Sequence, residues 1–397
     1  MMLAFAFALA SCATRRNAAP PSLAGTGAPD GVAATVRYWA GDSRGIGRSS
    51  ELWQRLKRAS EHATITTLAL STGGVGGTFG AGVLVGLAEA HRLPSYTLVT
   101  GVSSGALLAP FAFLGPSWCA RLPAAIDNIP NLPLRQISPL RWLIHQSLVS
   151  NRPLVAAINR LYTDDMIAAI AAESARGRTL LVGTFDLDAE EFVIWDMGAI
   201  AERGDDAARN LFRTVLLASA SLPGFLPPVL IPVDADGERY DEMHVDGGLT
   251  APFFVALPDE DSAGDRAELL PEMDISLIFN RKLDVRVQSV PQRMMPVLIR
   301  SISFRNRQFN RGALEALNVQ ARTLGLGLRV TNIPLDYPLQ PLDFSAPKLH
   351  ELFDYGRRCA RTDRVWRRAE DALAHESSGR VEDIQDVDCP GAKGLSR

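Results

Sequence analysis

Two glycine-rich turns, each entered by an apolar run and left by a helix-like one, constrain this chain more than any other feature. The first is Ser71-Thr72-Gly73-Gly74-Val75-Gly76-Gly77, after Ile65-Thr66-Thr67-Leu68-Ala69-Leu70. The second is Gly101-Val102-Ser103-Ser104-Gly105, after Tyr96-Thr97-Leu98-Val99-Thr100. A strand that turns sharply at a serine and runs into a helix holds the hydroxyl strained and exposed, as a nucleophile requires. A second strand, turn and helix nearby offers backbone N–H groups to the oxyanion that attack creates. Two such units in succession call for a parallel sheet with helices on its faces, an α/β fold.

The rest of the chain extends this pattern. Ser49 to Ala63 reads as a charged helix and Gly80 to Ala90 as a small-residue helix, whose glycines cost helix propensity and so signal close backbone packing. Residues 116–178 read as mostly helical, broken near Pro130, Pro133 and Pro153, with Leu154 to Ala175 as one helix. Leu180 to Asp186 and Glu191 to Asp196 pair as strands, Asp206 to Ser219 is an amphipathic helix, and the sheet resumes at Tyr240–Val245 and Ile275–Phe279. No internal repeat and no break in composition divides residues 33–397, which are expected to form one catalytic domain. Its core spans about 62–280, with a helical part at 285–375 and a disordered tail at 376–397.

Composition excludes several classes. The 397 residues are 47% hydrophobic and 21% charged with net charge −3, ordinary for a globular protein and without the basic field that nucleic acid requires. Six arginines (286, 293, 300, 305, 307, 311) and no acid lie between Asp284 and Glu315, interleaved with Met294, Met295, Leu298, Ile302, Phe304 and Phe309. Such a stretch can lie on an anionic membrane surface, but it reads first as a helix with a solvated basic face. The histidines are scattered and no Cys/His cluster has zinc spacing, so no metal is expected. Attack by a serine hydroxyl needs no organic cofactor either.

At the N-terminus, Leu3 to Ala10 is apolar but too short to span a bilayer, and suits a secretory signal. It runs into Leu9-Ala10-Ser11-Cys12, which resembles the bacterial lipoprotein signal, although no Lys or Arg precedes the run. The resemblance implies removal of residues 1–11, lipidation of Cys12 and attachment in the bacterial cell envelope, at the periplasmic side of the outer membrane. Residues 12–32, rich in Pro, Ala and Gly, then read as a flexible tether with a span on the order of 25 Å. Cys119, Cys359 and Cys389 permit one disulfide in an oxidising compartment, and the sequence does not choose the pair.

A nucleophilic serine needs a base. Asp246, in His244-Val245-Asp246-Gly247-Gly248-Leu249, follows a strand end, and its two glycines let the backbone turn so that the carboxylate faces a neighbouring strand. His244 offers a competing triad arrangement. No histidine stands in a Gly-flanked loop near the end of the chain, where a hydrolase triad would place it.

Three blocks resemble the patatin-like phospholipase family: Leu68 to Leu84 its glycine-rich oxyanion block, Gly101-Val102-Ser103-Ser104-Gly105-Ala106 its nucleophile elbow, and Val245-Asp246-Gly247-Gly248 its Asp-Gly-Gly/Ala block. Ala218 to Pro228 resembles a fourth, structural block. The resemblance covers roughly residues 62–280 in the family's order. It implies a three-layer α/β/α fold with a mostly parallel central sheet. It also implies a Ser103–Asp246 dyad without histidine, N–H groups of Gly73 and Gly74 in the oxyanion hole, and Gly77, Gly101, Gly105, Gly247 and Gly248 as motif glycines. The implied reaction is hydrolysis of fatty-acyl esters of (lyso)phospholipids or related lipids through an acyl-enzyme. The alternative is an inactive lipid-binding envelope lipoprotein on the same fold. Thr72 and Gly76 depart from the pattern, which has Gly and a Lys or Arg there. Oligomeric state is left open.

Overall fold

The computed structural model describes residues 16–29, 36–39, 50–60, 64–129, 150–257, 272–284, 289–339, 344–374 and 387–391. Two short strands, β1 (Ala28–Pro29) and β2 (Arg37–Trp39), precede helix α1 (Ser50–Ala59). The first glycine turn joins β3 (Ile65–Leu70) to α2 (Gly77–Glu89), and the second joins β4 (Leu98–Val102) to α3 (Ser104–Leu114). Short helices α4 (Pro116–Cys119) and α5 (Leu122–Asp127) follow, then α6 (Arg152–Leu161) and α7 (Asp164–Ala175). The single helix expected over 154–175 is therefore two. Thr163 breaks it by capping α7, its side chain accepting from the Met166 N–H.

The hairpin β5 (Thr179–Asp186) and β6 (Glu191–Asp196) leads into α8 (Met197–Glu202) and α9 (Asp206–Ser219). A second hairpin pairs β7 (Val229–Ala235) with β8 (Glu238–Asp246). Its turn is Asp236-Gly237, both at positive φ, a strong hairpin signal that marks a strand missed in the sequence. Beyond β9 (Met273–Phe279) come α10 (Met294–Thr323), β10 (Gly327–Asn332), α11 (Ala346–Ala360), β11 (Arg367–Arg368) and α12 (Ala369–Leu373).

The described strands form one mixed sheet in the order β1-β7-β8-β5-β4-β3-β9-β10-β11, with β6 on β5 and β2 on β6. The five central strands, β5 to β10, run parallel; the flanking pairings are antiparallel. Every residue of β4 and β5 is buried, as a sheet covered on both faces requires. On one face Leu68, Leu70, Val99, Leu180 and Val182 pack with α2, α3, α7, α9 and α11. On the other, Ile65, Leu98, Leu181 and Ile275 meet Leu52 and Leu56 of α1, while Ala69, Leu277 and Val330 meet Leu314 and Leu317 of α10. This is the α/β/α sandwich expected.

The glycines of α2 mark a close helix crossing: a Cβ on Gly82 or Gly86 would lie 2.0 or 2.3 Å from the Phe353 or Arg357 carbonyl oxygen of α11. The C-terminal region is thus not an appendage. β10 lies parallel to β9 inside the sheet, so the core extends past the boundary expected near 280. The expected disordered tail is stapled at 387–391: Cys389 is bonded to Cys359, Gly391 N–H donates to Arg364 O, and Val387 is buried. Among the described residues Cys119 is the free thiol, and it is buried.

The expected tether departs in the same way over residues 16–29. Arg16 pairs with Asp188, Asn17 bonds to Asp241, and Ala28–Pro29 adds a strand to β7. The signal segment and Cys12 lie outside the described residues. Along α10, Leu314, Leu317 and Ala321 are buried, whereas Met294, Met295, Leu298, Ile302, Phe304 and Phe309 are exposed beside the arginines.

Candidate active site

Ser103 stands between β4 and α3 at φ 58°, ψ −125°, a conformation few side chains adopt and one that costs of order 1–3 kcal/mol. Two devices hold it. Its N–H donates to Ser219 Oγ at 2.9 Å, and that hydroxyl donates to Gly183 O at 2.7 Å, tying the elbow to α9 and β5. Bare glycines let the turn close: a Cβ on Gly105 would lie 2.2 Å from Leu70 O, and one on Gly101 would lie 2.6 Å from Gly105 O.

β8 ends at Asp246, which its pairing with β5 sets opposite Thr184. Asp246 Oδ2 accepts the Ser103 hydroxyl at 2.5 Å, and Oδ1 accepts the Gly248 N–H at 2.7 Å. Only 3% of Asp246 is exposed. Burial pushes its carboxyl up to about 6, against the opposing pull of the Ser103 and Gly248 hydrogen bonds and the nearby Arg281 guanidinium. A base in this range is half-ionised close to neutrality, where general-base catalysis is most effective. Gly247 and Gly248 are also required by space. A Cβ on Gly247 would lie 2.8 Å from Gly183 O, and one on Gly248 would lie 2.9 Å from both Asp246 Oδ1 and Thr72 Oγ1.

The first glycine turn lies against this pair. A Cβ on Gly77 would lie 2.7 Å from Ser104 Cβ, so the starts of α2 and α3 touch. Among the described residues the N–H groups of Gly73 and Gly74 donate to no protein acceptor. They stand at the N-terminal end of α2, whose dipole favours negative charge. The loop is braced from below by Asn280, which donates its N–H to Ser71 Oγ and its Nδ2 to Ser71 O, both at 2.8 Å. Asn280 also explains Gly76: any Cβ there would lie 1.9 Å from the Asn280 carbonyl oxygen. The missing cation is a consequence of how β9 ends.

His244 belongs to another network. It is fully buried, with Nδ1 3.1 Å from Thr184 Oγ1 and Nε2 3.3 Å from Glu242 Oε2, and its ring meets Trp195 edge-on. Neither nitrogen contacts Ser103 or Asp246. Asp186, Glu242 and His244 bring ligand atoms within 4.8 Å of one another, the one such group among the described residues. The Arg37 guanidinium already neutralises Glu242 at 2.6 Å, so the protein supplies the charge that a cation would bring.

Arg281 is the residue that the sequence motifs did not reveal. It follows the C-terminal end of β9, next to β3, where the crevice of a parallel sheet opens. That position is its one sequence signal. Three large apolar residues in the segments next to Ser221 and Asp246 in the sequence, Leu222, Phe225 and Leu249, are 45%, 39% and 50% exposed. Ser221, beside Leu222, accepts the backbone N–H of Asp246.

Residues 68–257 match the family model described as patatin-like phospholipase. No curated protein matches the chain. Among solved structures, VipD from Legionella pneumophila is similar at 10% identity and TM-score 0.35, over 78% of this chain and 66% of that one. The human GIVD cytosolic phospholipase A2 is similar at 14% identity and TM-score 0.33, over 70% of this chain and 49% of that one. The chain thus spans about two thirds and one half of those proteins.

Proposed function

From a chain that carries a patatin-like phospholipase domain over residues 68–257, we propose a serine acyl hydrolase that cleaves fatty-acyl esters of (lyso)phospholipids or related lipids. The observation that carries the reading is the Ser103 hydroxyl donating to the buried Asp246 carboxylate at 2.5 Å, beside two unused N–H groups of Gly73 and Gly74. Asp246 takes the hydroxyl proton as Ser103 Oγ bonds to the ester carbonyl carbon. The carbonyl electron pair moves onto oxygen, held by the Gly73 and Gly74 N–H groups. Collapse breaks the ester C–O bond, and Asp246 returns its proton to the leaving alcohol. A water then gives a proton to Asp246 and attacks the acyl-serine. The fatty acid departs and the proton returns to Ser103.

The exposed Leu222, Phe225 and Leu249 suit entry of an acyl chain. The exposed apolar residues of α10, with the exposed Arg305 among them, suit contact with an anionic lipid surface. Both expectations are tested with lipid vesicles. The wild type releases fatty acid and Ser103→Ala does not; equal release by the two would remove the hydrolase reading. Glutamates in place of Met295 and Ile302 lower release from anionic vesicles about tenfold, by losing burial of two apolar side chains and adding repulsion. Unaltered release would remove α10 from the lipid contact.

Attachment through a lipidated Cys12 in the cell envelope belongs to the same proposal. Leu9-Ala10-Ser11-Cys12 supports it, and the Cys359–Cys389 disulfide fits an oxidising compartment. Because the folded body begins by Arg16, four residues of reach hold it within about 14 Å of the anchor. Mass analysis of the mature N-terminus is expected to find an acylated Cys12, and an unmodified one would sink the anchor.

A further inference from the structure

The reaction above gives Arg281 no task, yet it is the cation built into the site. Its side chain is largely buried, and Nε is fully buried without a hydrogen-bond partner. Among the described residues its side chain makes one hydrogen bond, a long one from Nη2 to Thr72 Oγ1 at 3.4 Å. Burial lowers its pKa, and the charge of Asp246 acts in the opposite sense. Asp246 acts on it through charge alone and makes no hydrogen bond with it; the two carboxylate oxygens accept from the Ser103 hydroxyl and the Gly248 N–H. Thr72 Oγ1 and Asp246 Oδ1 both lie 2.9 Å from the point where a Gly248 Cβ would stand. The guanidinium, Thr72, Gly248 and Asp246 therefore make one continuous edge of the site.

A guanidinium withdrawn from water without a hydrogen-bonded carboxylate is costly, even with a carboxylate charge nearby. The protein bears that cost beside a nucleophile, with the rest of the planar donor fork unpaired among the described residues. Such a fork matches the oxygens of a phosphate group, which it binds bidentately. The backbone geometry shows why the cation comes from here. Asn280 O closes the space at Gly76, and the next residue after Asn280 carries the guanidinium.

We propose that Arg281 binds the phosphate of the substrate's head group, and so makes the site selective for phosphate-bearing lipids over neutral ones. This rests on the acyl-hydrolase reading. The test compares a lysophospholipid with the monoacylglycerol of the same acyl chain, using the full chain. Arg281→Gln raises KM for the lysophospholipid about 10- to 100-fold, the equivalent of one charged hydrogen-bonding interaction. KM for the monoacylglycerol stays within about twofold. Arg281→Lys, which keeps a charge but loses the fork, recovers part of the lysophospholipid KM.

The substitution also removes a charge that favours ionised Asp246, so the acid limb of the pH profile moves upward on both substrates. A purely structural role would not produce that shift. The backbone bonds of residue 281, N–H to Phe279 O and O from Ile333 N–H, do not involve the replaced side chain. Equal KM losses on the two substrates, or none on either, would overturn the proposal. So would inorganic phosphate competing as well as glycerol phosphate with an unchanged lysophospholipid KM, which marks a free-anion site. If the wild type cleaves neither ester, the hydrolase reading fails by itself. The phosphate site is then judged by binding: glycerol phosphate raises the unfolding temperature of the wild type and leaves Arg281→Gln unmoved, and no shift in the wild type overturns the site.

Discussion

Replacing Asp246 by Asn lowers kcat/KM on an acyl ester by about a thousandfold, the middle of the range that a positioned general base contributes. The amide keeps the shape and can still contact the Ser103 hydroxyl, but it cannot take a proton. His244→Gln changes kcat/KM by less than about tenfold, because the imidazole is spent on Thr184 and Glu242 and acts on the site only through β8. In the wild type the same carboxylate sets the pH dependence. Burial raises it to about 6, so the base is ionised above that pH and progressively protonated below it. The rate falls about tenfold per unit of pH below the transition, instead of holding down to the usual carboxylate range near 4. Stopped assays of wild type and both variants between pH 4 and 9 check all three expectations. A His244→Gln loss as deep as that of Asp246→Asn would restore the triad.

Gly76→Arg, which reinstates the family's cation, unfolds the domain more readily instead of improving it. The added Cβ would sit 1.9 Å from Asn280 O and 3.0 Å from Asn280 C, and neither is a flexible side-chain end that can step aside. Relief requires β9 to shift at its end, where Asn280 also braces Ser71 with two hydrogen bonds. Overpacking of this kind costs about 3 kcal/mol. That corresponds to a fall in unfolding midpoint of roughly 6–12 °C. Gly76→Ala shows most of the same loss, since the clash begins at Cβ. A thermal scan of both variants measures it, and an unchanged midpoint would show that β9 ends elsewhere.

The two strand-turn-helix units were legible because their information is local. An apolar run, a glycine where the backbones touch and a small-residue helix are written in consecutive residues, so β3, α2, β4 and α3 appear where expected. Asp246 was legible as a candidate base from its strand end and two glycines, with His244 competing. The resemblance chose between them, because the contact joins residues far apart in the sequence, at the ends of β4 and β8 with β5 between them. What the sequence hid depends on pairing between distant segments. β10 follows a long basic helix and reads as part of a helical region, yet its partner β9 makes it a sheet strand. Residues 16–29 have tether composition, but Arg16 and Ala28–Pro29 find partners on β7, β8 and the turn after β5. The departure at Gly76 reads as a lost function until Asn280 is seen filling the space. Arg281 stands outside every motif block, and its role follows from which strands are neighbours.

The proposed reaction makes Ser103 a nucleophile activated by Asp246 alone. Its most direct test is covalent labelling with a serine-directed fluorophosphonate, followed by mapping of the modified peptide. The wild type and His244→Gln are expected to carry the label on Ser103 at comparable rates, Asp246→Asn to label far more slowly, and Ser103→Ala not to label at all. A folded wild type that stays unlabelled while a known serine hydrolase reacts, or a label found on another serine, would contradict the account.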